Sequence, residues 1–230
     1  MTDLHTHILP GMDDGAQSVE EAVEMLSLQV QQNVDAVALT PHYYGRRETV
    51  DEFLARRNSA YRKLKKAIGE RECPGIILSA EVEWLPDTLE WPNLEKLCYE
   101  GTNLLLVELP IIAWTDELYQ QLYTLETRRG IMPVIAHIDR YFDCQKSRDI
   151  GLLVELGYPV QISAEAILNR TTRKKALTLM EISDGLLISD CHNLTDRAPN
   201  IAAGMQIVRK KLGKYRAAEL TAFTDDILTD

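Results

Sequence analysis

Five histidines, His5, His7, His42, His137 and His192, fall at or just past the C-terminal ends of apolar, β-rich runs. Four acids keep similar company. Glu81 ends the run in SAEVEW, Glu108 ends LLLVELP, Asp190 ends GLLISD, and Asp14 lies in the loop after the first run. A carboxylate at the end of an apolar strand is costly to bury alone. A divalent cation is a partner strong enough to offset that cost. Strand alternation sends residues two apart to one face, so His5 and His7 can grip a single ion together. Any one of these histidines is ordinary by itself; the shared placement of all five argues for a common site. The donors are imidazole and carboxylate without thiolate, which suits Mn, Fe or Zn and argues against a structural zinc finger. Nine candidate ligands exceed the need of one ion, so two or three ions are expected. Closely spaced ions clamp the attacking and leaving oxygens of phosphoryl chemistry.

The apolar runs lie near 2–8, 35–40, 75–82, 104–109, 132–137, 159–163 and 185–190. Few charges interrupt them, as expected of strands buried on both faces, which are usually parallel. Helical patterns alternate with them. The first opens on the capping-box pattern Ser18-Val19-Glu20-Glu21; others lie near 51–71, 115–129, 146–156, 165–182, 197–212 and 214–222. This rhythm predicts a parallel α/β protein in one domain, residues 1–230. Seven strands suggest an incomplete or distorted (β/α) barrel, with an open doubly wound sheet as the other solution. In a barrel, side chains at strand C-termini meet at one mouth.

The 230 residues are enough for one large domain with a full core and short for two. No apolar run approaches the ~20 residues of a membrane span, and MTDLHTHILPG shows no basic stretch followed by an apolar core, so no signal peptide is expected. Cys73, Cys98, Cys144 and Cys191 show no C-x-x-C pair, which suits a reducing cytoplasm. A net charge of −10 excludes nucleic-acid binding by bulk electrostatics. An anionic substrate then requires local positive charge, and three divalent ions would overcompensate the four acidic ligands.

The blocks DLHTHILPGMDDG, TPHYYG, AEVEW, AHIDRY and SDCHNLTDR, in this order and spacing, resemble the PHP (polymerase and histidinol phosphatase) superfamily. More closely, the chain resembles the bacterial manganese-dependent protein-tyrosine phosphatases of capsular and exopolysaccharide operons, over nearly its whole length. The D-D-G after H-x-H, the A-H-I-D-R-Y block and the S-D-C-H-N-L block with its following Arg make that narrower match specific. The resemblance implies a distorted seven-stranded β/α barrel with a trinuclear site, usually of Mn2+. The implied ligands are His5, His7, Asp14, His42, Glu81, Glu108, His137, Asp190 and His192, with Arg140 and Arg197 binding the substrate phosphate. The implied substrate is the tyrosine-rich tail of a bacterial tyrosine autokinase that controls polysaccharide chain length and export. Three positions depart from the family: Asp139 stands where relatives often have Glu, Cys191 where Met is common, and Ser163 where Asn is expected. None is an implied ligand.

Cys191 and Arg197 also form C-x5-R, the spacing of cysteine-dependent tyrosine phosphatases. Such a loop wraps phosphate with backbone N–H groups and relies on glycine. HNLTD has none, and Asp196 would set a negative charge beside the phosphate. Arg46 and Arg47, just past His42, read either as a solvated pair or as steering groups for an acidic phosphopeptide, and Tyr44 as a candidate general acid. The nearest alternative function is a PHP-type small-molecule phosphatase of the histidinol-phosphate kind. A PHP-type exonuclease lacks a basic, aromatic-rich groove here. A catalytically dead scaffold is disfavoured because no ligand is missing.

Overall fold

The computed structural model describes residues 1–228. Among the described residues nine strands form: β1 Thr2–Thr6, β2 Ala36–Leu39, β3 His42–Tyr43, β4 Gly75–Leu78, β5 Glu81–Glu83, β6 Leu104–Glu108, β7 Met132–Ile135, β8 Gln161–Ser163 and β9 Leu186–Ile188. Every pairing is parallel, as the uninterrupted apolar runs require. The strands lie in three sheets, ordered β1-β2-β4, β3-β5-β6-β7 and β8-β9, rather than in one continuous sheet of seven. Nine replace seven because two runs break just before their functional ends. One breaks at Thr40-Pro41, where proline removes a ladder N–H, and the other at Ser79-Ala80. Backbone bonds still cross the breaks, from Ser79 N–H to Leu39 O and from Glu81 N–H to Pro41 O. Isolated parallel bridges join Ile135 to Val160 and Thr6 to Cys191.

The helices are α1 Val19–Gln31, α2 Val50–Ile68, α3 Asp116–Arg129, α4 Ser147–Glu155, α5 Ala164–Leu168, α6 Arg173–Ile182, α7 Ile201–Leu212 and α8 Lys214–Asp226. At α1, Ser18 caps the Glu21 N–H, but the Glu21 carboxylate turns to Gln17 instead of closing the box. The complete capping box is at α2, between Thr49 and Glu52. The pattern over 165–182 predicts one helix; the chain forms two, because the Asn169 carboxamide accepts from Thr171 N–H and organises a turn. α7 starts only after Pro199, four residues later than the pattern suggests. The C-terminal stretch packs: Ala217, Leu220 and Thr224 of α8 are buried, and Thr2 donates to Asp225 across to β1.

One apolar cluster lies between strands and helices. A smaller one gathers Leu4, Ala38, Leu106, Val134 and Ile188, from β1, β2, β6, β7 and β9, around Tyr99. The Tyr99 hydroxyl donates to Leu4 O at 2.9 Å, so its buried polar end is satisfied. These strands therefore share one interior, and their C-terminal ends open on one side of it. On the outside, α7 lies so close to α5 that a Cβ at Gly204 would sit 2.8 Å from Ala164 Cβ and 3.1 Å from its Cα. Gly204→Ala gains about 1 kcal/mol of helix propensity but overpacks this contact by about 1–3 kcal/mol. A lower urea midpoint with unchanged m is the expected result.

Candidate metal centre

The nine acids and histidines converge. Glu81 stands at their middle with 1 % of its surface exposed. Its Oε2 lies 3.2 Å from His5 Nε2, 3.2 Å from His7 Nε2 and 2.9 Å from His42 Nδ1, and Oε1 lies 2.7 Å from His137 Nε2. Yet Oε2 accepts no hydrogen bond, nor does Asp190 Oδ1, and buried His192 Nε2 likewise has no partner.

Two of the ring tautomers are set by partners outside this cluster. His5 Nδ1 faces Gln161 Oε1 at 2.7 Å, and His7 Nδ1 faces Asp13 Oδ2 at 2.8 Å. Both acceptors place the ring proton on Nδ1. The two Nε2 lone pairs then point at each other, 3.1 Å apart, and at a carboxylate. Such an arrangement repels itself unless a cation or an extra proton sits among the donors. Three groups of donor atoms are tight enough to hold an ion: His7, Asp14, His42 and His192; His5, His7 and Glu81; and His42, Glu81 and Glu108. His137 and Asp190 adjoin them. His137 Nε2 is 3.6 Å from Glu108 Oε1, and Asp190 Oδ1 is 3.6 Å from each of His5 Nε2, His7 Nε2 and His192 Nδ1. Asp14, whose side chain is 65 % exposed, reaches over from the loop to within 3.6 Å of His42 and 3.5 Å of His192.

The backbone bends to deliver these groups. His137 and Asp190 have φ of 24° and 52°. Neither is glycine, so each costs about 1–3 kcal/mol that surrounding contacts must offset. Gly15 has a different duty. A Cβ there would lie 2.1 Å from His7 O, so only glycine lets the Asp13–Asp14 loop fold back onto His7.

Arg140 and Arg197 stand at the rim, each about one-third exposed. Their Nη2 atoms approach Asp190 Oδ2 at 2.5 and 2.9 Å. Arg140 also lies 3.5 Å from Glu108, and Arg197 lies 3.8 Å from Asp14. Both line a 260 Å³ cavity with Ser163, Ser189, Asp190 and Asn200. Arg47 caps the Tyr44 ring at 4.3 Å, and Tyr44 in turn stacks on His42 at 5.3 Å. Arg46 is exposed on the same turn. The departures Asp139 and Ser163 meet each other: the carboxylate accepts both the Ser163 N–H and its hydroxyl at 2.8 Å.

Cys191 is fully buried, with Gln29 Nε2 3.8 Å from its sulfur, and burial pushes its thiol far above the ordinary range. It is no thiolate nucleophile.

Two residues of the site are absent from the nine. Asp13 orients His7 and also accepts from the His42 and Gly15 amides, at 2.8 and 2.9 Å. Gln161 orients His5. Ligand histidines are commonly fixed in this way by a partner on the other ring nitrogen. The D-D-G signal contained Asp13, since it offers two adjacent acids. Nothing in the run at 159–163 marks Gln161.

A family model described as "Capsular polysaccharide synthesis, CpsB/CapC" matches residues 1–227. The chain belongs to the CpsB/CapC family. It is 29 % identical over 237 residues to the tyrosine-protein phosphatase CpsB of Streptococcus pneumoniae, covering 96 % of this chain and 94 % of that one. It is 28 % identical over 233 residues to the tyrosine-protein phosphatase YwqE of Bacillus subtilis, covering 96 % and 89 %. Crystal structures of YwqE and CpsB, described as metal-dependent tyrosine phosphatases, share the fold with a TM-score of 0.80 at 24 % identity, covering 100 % of this chain and 94 % of the other. This CpsB/CapC member thus has the α/β architecture of a solved metal-dependent phosphatase over its whole length. No helix among its described residues is long and apolar enough to cross a membrane.

Burial opposes the His7 charge, but the Asp13 and Glu81 carboxylates outweigh it and hold the imidazolium up to about 10. Burial likewise opposes the Asp13 charge, and His7 overcomes it, lowering that carboxyl to about 2. The raised histidine contributes stability below 6.5 that is lost toward 10; the lowered acid contributes above 3.8 what is lost toward 2. In protein stripped of metal, the Tm difference between wild type and Asp13→Asn should therefore peak between about pH 4 and 6.5 and narrow on both sides. A difference independent of pH would show that this pair is not the cause.

Proposed function

We propose that this chain is a metal-dependent protein-tyrosine phosphatase, a phosphoric monoester hydrolase. It removes phosphate from the tyrosine-rich tail of a bacterial tyrosine autokinase and so regulates capsular and exopolysaccharide synthesis and export. The observation that carries the proposal is Glu81 Oε2, buried among three imidazoles with no hydrogen bond, beneath two rim arginines. Its ligands are His5, His7, Asp14, His42, Glu81, Glu108, His137, Asp190 and His192, and its resident ions two or three Mn2+. Imidazole and carboxylate without thiolate support that metal class, and Fe and Zn are the competitors. The ring order of sheets, joined by bridges at Ile135–Val160 and Thr6–Cys191, supports a distorted seven-stranded barrel. An apolar cluster running from Ile8 to Leu220 supports a single domain. The unpaired cysteines fit a cytoplasmic setting.

Bound ions would supply Lewis acidity and lower the pKa of water. The chain's residues do the rest. Asp13 and Gln161 hold His7 and His5 with Nε2 presented to the centre. Arg140 and Arg197 present N–H donors that bind the non-bridging oxygens of an entering phosphoryl group, which takes over from Asp190 as their acceptor. The departing phenol has a pKa of ~10, so a strong general acid is less necessary than for an alkoxide. The Tyr44 hydroxyl, pushed up to about 12 by burial and then by Glu108 and Asp14, stays protonated and able to donate at neutral pH.

Steady-state rates with added Mn2+ test this reading. A phosphotyrosyl peptide should be turned over well and histidinol phosphate poorly; the reverse preference would favour a small-molecule phosphatase. Exhaustive EDTA treatment should abolish the activity and Mn2+ should restore it. Cys191→Ser should keep most of the rate, whereas Asp190→Ala or His192→Ala should remove at least about 100-fold. The opposite pattern would reinstate cysteine chemistry.

A further inference from the structure

Asp3 is a fully buried carboxylate that the proposed chemistry does not use. Alternation would place it on the same face as His5. The β1–β2 register is irregular between Asp3 and Thr6, and the Asp3 side chain instead meets α1. Its partners are uncharged: amides and the Ser189 side chain. Oδ1 accepts from Ser189 N–H at 3.0 Å and, more weakly, from His5 N–H at 3.5 Å; Oδ2 accepts from Gln29 Nε2 at 2.7 Å.

Those bonds lead to the strained turn after β9. Ser189 immediately precedes Asp190, whose φ is 52°. Three successive amides there are each held: Ser189 N–H by Asp3, Asp190 N–H by His5 O at 3.0 Å, and Cys191 N–H by Ser189 Oγ at 3.2 Å. His7 N–H then closes onto Cys191 O at 2.9 Å. The clamp thus ties the strand bearing His5, and His7 just past its end, to the turn bearing Asp190 and His192. Asp190 has to hold one oxygen toward His5, His7 and His192 and the other toward both arginines. A small rotation of a left-handed turn would misdirect both oxygens.

We infer that Asp3 is a positioning residue for the metal centre, acting through the Ser189 backbone to hold the Asp190 turn. The inference rests on the metal-centre reading for its effect on the ions, but the clamp itself can be read without them. It predicts that the accepting oxygen matters rather than the charge. Asp3→Asn keeps an oxygen for Ser189 N–H, and the Gln29 amide, whose own Oε1 is unpartnered, can turn to accept from the new amide.

Three variants are compared: Asp3→Ala, Asp3→Asn, and Leu64→Ala as a destabilised control in the buried face of α2. Ser189 amide exchange is measured in metal-stripped protein, Mn2+ affinity by titration calorimetry, and kcat and KM on a phosphotyrosyl peptide. Asp3→Ala should speed Ser189 exchange about 10-fold or more. It should weaken Mn2+ binding about 10–100-fold and lower kcat more than it raises KM. Asp3→Asn should stay near wild type on every readout, and Leu64→Ala should lose stability without losing Mn2+ affinity. The inference is overturned if Asp3→Ala keeps its Ser189 protection and Mn2+ affinity, or if Leu64→Ala loses affinity equally. Should Asp3→Ala fail to fold, Asp3→Asn decides alone: retained affinity supports the clamp, and a 10-fold loss refutes it. A wild-type protein that binds no Mn2+ would sink the metal reading instead, leaving Ser189 exchange to judge the clamp.

Discussion

A carboxylate buried among imidazole lone pairs cannot be left uncompensated, and Glu81 is placed in that position. The rest of the structure can be understood as the means of holding it there. In the absence of metal, one proton on His7 relieves part of the repulsion, which is why Asp13 and Glu81 keep that ring cationic. A divalent ion held by these donors would relieve it at once and displace the proton. Metal binding at this site would then release a proton.

Parallel strands supply directions but not all of the required angles. Short breaks at Thr40-Pro41 and Ser79-Ala80 let the ends carrying His42 and Glu81 leave one sheet and join the next. Left-handed residues at His137 and Asp190 turn two further groups inward. The strained positions coincide with two of the nine candidate ligands, as expected where local geometry serves chemistry rather than stability. Arg140 and Arg197 complete the arrangement by converging on the outer oxygen of Asp190. A phosphoryl group brings three oxygens to the same donors and can replace that single acceptor.

Eight of the nine converging residues were legible because their types are expensive at or just past strand ends, and expense at a recurring position carries information; Asp14 stood out only in the D-D-G loop. Asp13 was half legible: D-D-G offers two acids, and only the folded loop shows that the first turns to His7 Nδ1 while the second reaches over to His42 and His192. Gln161 and Asp3 were not. A neutral carboxamide in a buried strand reads as a tolerated polar residue, and Asp3 reads as sharing the His5 face until the strand irregularity sends it elsewhere. The helix pattern over 165–182 concealed its own break, since the polar stretch from Asn169 to Lys175 contains no glycine or proline to mark a turn. The rim arginines carried no signal of position or periodicity; only the resemblance of the AHIDRY and SDCHNLTDR blocks pointed to them.

The central claim is that these nine side chains form one polynuclear metal site. Anomalous diffraction at the manganese edge, from crystals of Mn2+-loaded protein, tests it most directly. Two or three peaks, about 3.5–4 Å apart and clustered on the Glu81 carboxylate, are the predicted result. A single peak elsewhere, or none near Glu81 at full occupancy of the crystal by active protein, would contradict it.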